Sequence, residues 1–245
     1  PHHALQMGNK MSLALKGKER SGFTMKNVER MKRSSDSRFL QMVGEKNQHV
    51  QEENVAYLYK TMIETQESAG YLHQQAKLHK SNVPYPRDQF AQDLKQVAEL
   101  ITADTSTSVY YVNLGGFDTH NAQKGRQGQL LKRYADGLQA FVKDLKHNQL
   151  LDDVLIMTFS EFGRRVKQNA SNGTDHGTAN NVFLVGGKLK KTGFFNAAPD
   201  LQNLQNGDLI YDIDFRQIYA SILENWLDAD ARQILDRRFD ALPIV

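Results

Sequence analysis

Between residues 109 and 159 the chain alternates short runs of strand-forming residues with one long amphipathic stretch, an order that few folds accept. Val109-Tyr110-Tyr111-Val112-Asn113-Leu114 is a run of β-formers ending on Gly115-Gly116. The segment Gln123 to His147 then carries Leu130, Leu131, Tyr134, Leu138, Phe141, Val142 and Leu145 at helical spacing. Val154-Leu155-Ile156-Met157-Thr158-Phe159 reads as a second strand, and Val182-Phe183-Leu184-Val185, closed by Gly186-Gly187, as a third. Strand, long helix, strand is the βαβ pattern, and strands apolar on both faces predict a parallel sheet covered by helices. The fold class expected is therefore α/β.

Upstream of residue 104 the spacing changes to helical steps. Val55, Leu58, Tyr59, Met62, Ala69, Leu72 and Ala76 recur three and four apart in a stretch without proline, from Asp36 to Lys80. They predict one long amphipathic helix or two, with Gly44 and Gly70 as break points. Asn82-Val83-Pro84-Tyr85-Pro86 stops that pattern, and Asp88 to Ile101 predicts another helix through Phe90, Leu94, Val97, Ala98 and Ile101. The first hundred residues are expected to be helical throughout. The division expected is a helical segment over 1–104 packing on an α/β sheet domain over 105–245, both within one structural unit. A last helix is expected over Phe215 to Leu227, with Asp214 as its N-cap.

Composition excludes several classes. A chain of 245 residues with 40% hydrophobic residues can bury a core unaided. With 0 Cys it has no disulfide scaffold, thiol nucleophile or Cys zinc site. No run of apolar residues is long enough for a transmembrane helix. Nine Lys or Arg face only Glu19, Glu29 and Asp36 between Lys10 and Arg38, which concentrates the positive charge at one end. Without interleaved aromatics or a recognition motif this reads as a solvated polar segment, and no nucleic-acid partner is expected. G-x-G-x-x-G, a P-loop and G-x-S-x-G are all absent. Asn169-Ala170-Ser171 and Asn172-Gly173-Thr174 match the glycosylation sequon, a match common by chance in such a loop.

In open parallel sheets functional groups gather beyond the carboxyl ends of the strands. The first strand runs into Asp118-Thr119-His120, where an extended chain would turn Asp118 and His120 to the same side. The second runs into Ser160-Glu161-Phe162-Gly163-Arg164, and Gly173-Thr174-Asp175-His176-Gly177 precedes the third. Asp, His and Glu supply oxygen and nitrogen donors suited to zinc, manganese or iron, or to calcium where carboxylates dominate. Taken singly, Asp118 and Thr119 read as a turn or helix cap and His176 as a loop histidine; only the sheet argument joins the three clusters. His49, His73, His79 and His147 lie on helical segments or at a helix end and read as structural.

With these words in order, the chain resembles the bacterial family called domain of unknown function 1501, sulfatase-like members of the alkaline phosphatase superfamily. The resemblance rests on Gly115-Gly116-Phe117-Asp118-Thr119-His120, Thr158-Phe159-Ser160-Glu161-Phe162-Gly163-Arg164 and Gly173-Thr174-Asp175-His176-Gly177-Thr178-Ala179. It implies a three-layer α/β/α sandwich with a largely parallel, alkaline-phosphatase-like sheet. It further implies one divalent metal, zinc first with manganese, iron, magnesium or calcium as alternatives, held by Asp118, His120 and His176. Where the superfamily places an Asp-His pair for a second metal, this sequence has Ser160-Glu161.

The function expected is a metal-dependent hydrolase of anionic phosphate or sulfate esters. In it Glu161 binds a second ion or acts as a base, Arg164 neutralises the substrate, and Ser160 is either a substitute nucleophile or, as is commoner for a Ser beside Glu at a strand end, a helix cap. The superfamily's own nucleophile belongs to a strand expected upstream of Pro1, so turnover by this chain is expected to be weak or nil. The resemblance also implies an exported protein. The alternative is a non-catalytic binding or assembly protein that keeps the fold.

Overall fold

The computed structural model describes residues 3–17, 22–36 and 67–245. They form two compact units, one of Pro1–Gly116 with Leu130–Asn148, the other of Phe117–Gln129 with Gln149–Val245. The chain is mixed α/β, with one small parallel sheet and three antiparallel strand pairs among the described residues.

In the first unit β1 (Ala4–Met7) lies between β2 (Phe23–Met25) and β3 (Val109–Tyr111), parallel to both. Leu5 pairs with Phe23 on one side and Tyr110 on the other. Leu5, Gln6 and Met7 are all buried, as a central strand requires. The amide of Gln6 is satisfied locally: it donates to the Lys10 carbonyl (2.8 Å) and accepts from the Ser12 N–H (2.6 Å). The expectation of helix throughout the first hundred residues is thus corrected. These strands are three and four residues long, too short for an alternating pattern to show, and Gln6 interrupts the apolar run of β1.

The helices follow the sequence closely. One runs over 67–78 and buries Ala69, Leu72 and Ala76, with Gly70 inside it rather than at a break. The expected stripe at Val55, Leu58, Tyr59 and Met62, and Gly44, lie outside the described residues. The Gln89–Thr102 helix starts at Asp88, whose carboxylate accepts from the Ala91 N–H (3.2 Å). It buries Phe90, Leu94, Val97 and Ala98 as expected, and Leu100 besides, each large side chain contributing about 1.5–3 kcal/mol.

The Gln123–His147 helix has the bounds read from the sequence. Ala140, Phe141 and Leu145 are buried, whereas Leu131 is 48% exposed, so the apolar stripe is narrower at that end. Gly137 permits a close approach, since a Cβ there would lie 3.1 Å from the Phe90 ring. Asp144 is buried on the same helix and accepts from the Tyr85 hydroxyl (2.9 Å) and the Asn148 amide (3.1 Å). Burial, then the bond to Asp144, raises the Tyr85 hydroxyl above its ordinary pKa.

In the second unit β4 (Ile156–Thr158) pairs with β7 (Phe183–Val185), and the pair is antiparallel. A single, largely parallel sheet is therefore not what these residues form. A short apolar run fixes burial but not direction. Direction comes from the connection, and the chain between β4 and β7 folds into a hairpin of β5 (Gly163–Gln168) and β6 (Thr174–Gly177). A second hairpin, β8 (Leu204–Gln205) with β9 (Asp208–Leu209), turns on Asn206-Gly207, both at positive φ (53° and 82°).

The Phe215–Asn225 helix opens on a capping box of Asp214 and Gln217. The bond from the Arg216 side chain holds the Asp214 carboxyl down at about 2, with the Arg216 N–H and its charge adding to the effect. This contribution is complete above the ordinary carboxylate range and is lost as pH falls toward about 2. Asp214→Ala should cost about 0.5–2 kcal/mol in urea melts at pH 7. The gap between variant and parent should narrow as pH is lowered through 3.

Candidate metal centre

The β5–β6 hairpin builds this site. Arg164 and His176 are directly paired across it, so their side chains share a face. Phe162, two residues before Arg164, lies on that face too. The His176 ring stacks on Phe162 with centroids 3.9 Å apart and planes 10° apart, and the Arg164 guanidinium lies over the same ring at 5.0 Å. The imidazole is thereby fixed in plane by an aromatic neighbour.

Arg164 also ties the hairpin to the Phe117–His120 segment. Its guanidinium donates to the Thr174 carbonyl (2.5 Å), the Phe117 carbonyl (2.5 Å) and the buried Thr119 hydroxyl (3.3 Å). These acceptors flank Asp118 on one side and precede His176 by two residues on the other. Asn169 adds a second tie, donating from its amide to the His120 carbonyl (3.0 Å). Gly173 lets the hairpin come this close, because a Cβ there would overlap the His120 carbonyl. The hairpin loop also caps the long helix, with the Gln123 N–H donating to the Asn172 carbonyl (3.0 Å).

These ties bring three donors to one point. Asp118 Oδ1 lies 2.8 Å from His176 Nε2 and 2.9 Å from His120 Nε2. One ligand atom from each of Asp118, His120 and His176 falls within 4.8 Å of the others, and all three side chains are exposed. The two rings lie 4.8 Å apart, centroid to centroid. The hydrogen bond from His176, with the nearby imidazole charges, holds the Asp118 carboxyl below the usual carboxylate range against a smaller effect of desolvation. Two nitrogens and one oxygen that share a focus and face solvent suit a borderline cation such as zinc, and leave its remaining positions open to water or substrate.

A family profile described as protein of unknown function (DUF1501) matches residues 3–234. The chain belongs to that family. No curated protein and no solved structure matches it. The family match contains all three sequence words that build the site.

The other expected site residues are placed differently. Glu161 is exposed and is not one of the three clustered ligands. The Ser160 hydroxyl donates to the Phe162 carbonyl (3.0 Å), closing a local turn. Arg164 spends its guanidinium on the backbone and Thr119, as above, and also borders a shallow cavity of about 280 Å³ with Lys124, Gln127 and Gln168. The sequence offers Thr119 only as a turn or cap residue and Asn169 only as part of a sequon, and gives Phe162 no role of its own. The signal that could have found them is Asn172-Gly173, a hairpin dipeptide lying between two segments that supply site residues.

Among the described residues no helix is long and apolar enough to cross a membrane.

Proposed function

We propose that this chain is a metal-dependent hydrolase of phosphate or sulfate esters, an exported protein whose fold derives from the alkaline-phosphatase-like sandwich. The observation that carries the reading is the convergence of Asp118 Oδ1, His120 Nε2 and His176 Nε2 on one solvent-facing point. A divalent cation bound there would polarise an ester oxygen and lower the pKa of water. Asp118 would supply the anionic ligand; as an exposed carboxyl it is ionised at neutral pH, and its histidine neighbours lower its pKa further. Phe162 and Arg164 would hold the His176 ring and the Asp118 backbone in place. Lys124, which borders the same cavity as Arg164, would offer a positive charge to an anionic substrate.

Turnover should be slow. The Ser160 hydroxyl is turned to the Phe162 carbonyl and Glu161 stands outside the ligand cluster, so neither residue expected to supply a nucleophile or a second ion site is built into the cluster of described ligands. The test is an assay of aryl phosphates and aryl sulfates with zinc, manganese, magnesium or calcium. Low but metal-dependent hydrolysis that Asp118→Ala removes supports the reading. Metal binding with no hydrolysis of either ester would replace it by the non-catalytic alternative.

A further inference from the structure

We infer that Asp175 is a positioning residue for His120, acting as the carboxylate behind the imidazole; this rests on the metal-binding reading of the same site. The ring of His120 lies between two carboxylates. Its Nε2 faces Asp118 Oδ1 at 2.9 Å, and its Nδ1 lies 3.6 Å from Asp175 Oδ1, an ion-pair distance that a small shift of the exposed carboxylate would close to a hydrogen bond. The two nitrogens of a neutral imidazole do different jobs, since the one bearing the proton cannot bind a cation. Once a cation takes Asp118 and the Nε2 lone pair, the ring proton must sit on Nδ1, and an anion on that side favours this tautomer.

Asp175 is held for this task by the hairpin. The Asn169 amide donates both to Asp175 Oδ1 (3.3 Å) and to the backbone carbonyl of His120 (3.0 Å), so one side chain fixes the carboxylate and the residue it serves. Asn169 is in turn locked by the Ser171 and Gly173 N–H groups, both donating to its Oδ1 at 3.0 Å. The strand geometry adds a division of labour. Neighbouring residues of β6 point to opposite faces, so His176 approaches the cation position while Asp175, one residue earlier, reaches the far side of His120.

Carboxylates in this position typically contribute a factor of 10–100 to metal affinity. Asp175 is 63% exposed, so a loss of about tenfold is expected. Zinc titration calorimetry on the whole chain should show Asp175→Ala binding about tenfold more weakly than the parent, with Asp175→Asn, which keeps one acceptor, in between. A merely structural role would not move the second readout. In the cobalt-loaded parent, proton NMR should show a hyperfine-shifted, exchangeable N–H signal from His120; in Asp175→Ala that signal should be lost to solvent exchange. A parent that binds zinc well and an Asp175→Ala variant within twofold of it would overturn this inference alone. A parent that binds zinc no better than His176→Ala would overturn it together with the metal reading.

Discussion

His176→Ala is expected to weaken zinc binding by roughly a hundredfold or more, since losing an outer partner of a ligand already costs 10–100-fold and this change removes a ligand itself. The fold should survive it. The His176 side chain is 44% exposed and its removal exposes one face of Phe162 without opening the interior. Calorimetry reads the affinity, and the urea midpoint of the metal-free protein should move by less than about 1 kcal/mol in stability. An affinity within fivefold of the parent would show that the three donors do not act as one site.

The second large effect is expected at Arg164. Arg164→Ala removes three hydrogen bonds from a charged donor, each ordinarily contributing about 1.5–3 kcal/mol. Because they share one side chain they are not additive, and a net loss of about 2–4 kcal/mol is expected. Arg164→Lys should recover little, because a single ammonium cannot reach the Thr174 carbonyl, the Phe117 carbonyl and Thr119 together. Urea melts give the loss. Hydrogen exchange should localise it, with amides of residues 117–120 and of β6 losing protection together. If only β6 responds, the tie to the Asp118 segment is not what Arg164 supplies.

Where the sequence reading succeeded, the signal was long and periodic. The Gln123–His147 and Gln89–Thr102 helices emerged with their bounds nearly intact because several apolar side chains recur on each at helical spacing. Asp214 was legible as a cap because the carboxylate stands directly before an apolar periodic run. The reading lost ground where elements are short. Ala4–Met7 offers four residues, one of them a glutamine whose burial is made tolerable by the Lys10 and Ser12 backbone, which no local pattern reveals. The antiparallel sense of β4 and β7 depends on the chain between them, which was read as loop because it is rich in Gly, Asn and charge.

The candidate site shows the same split. Asp118, His120 and His176 were found as residue types at the ends of elements, and they do converge. The means of convergence was not legible. The sequence puts them at the edge of a parallel sheet, whereas His176 sits within a strand of a hairpin, opposite Arg164. Likewise Arg164 carries a charge that suggested substrate, and only the geometry shows it bonded to backbone carbonyls.

The hairpin that delivers His176 from 58 residues along the chain also sets how a bound cation would act on folding. Asp118 and His120 are two residues apart, and an unfolded chain retains them as a weak local chelate. Only the third donor requires the folded hairpin. A ligand stabilises a protein by the difference between its affinities for the folded and unfolded forms, and any residual binding to the unfolded chain subtracts from it. The cation's leverage on stability is therefore the affinity added by one histidine, and the thermal shift it produces would report how firmly β5 and β6 are paired.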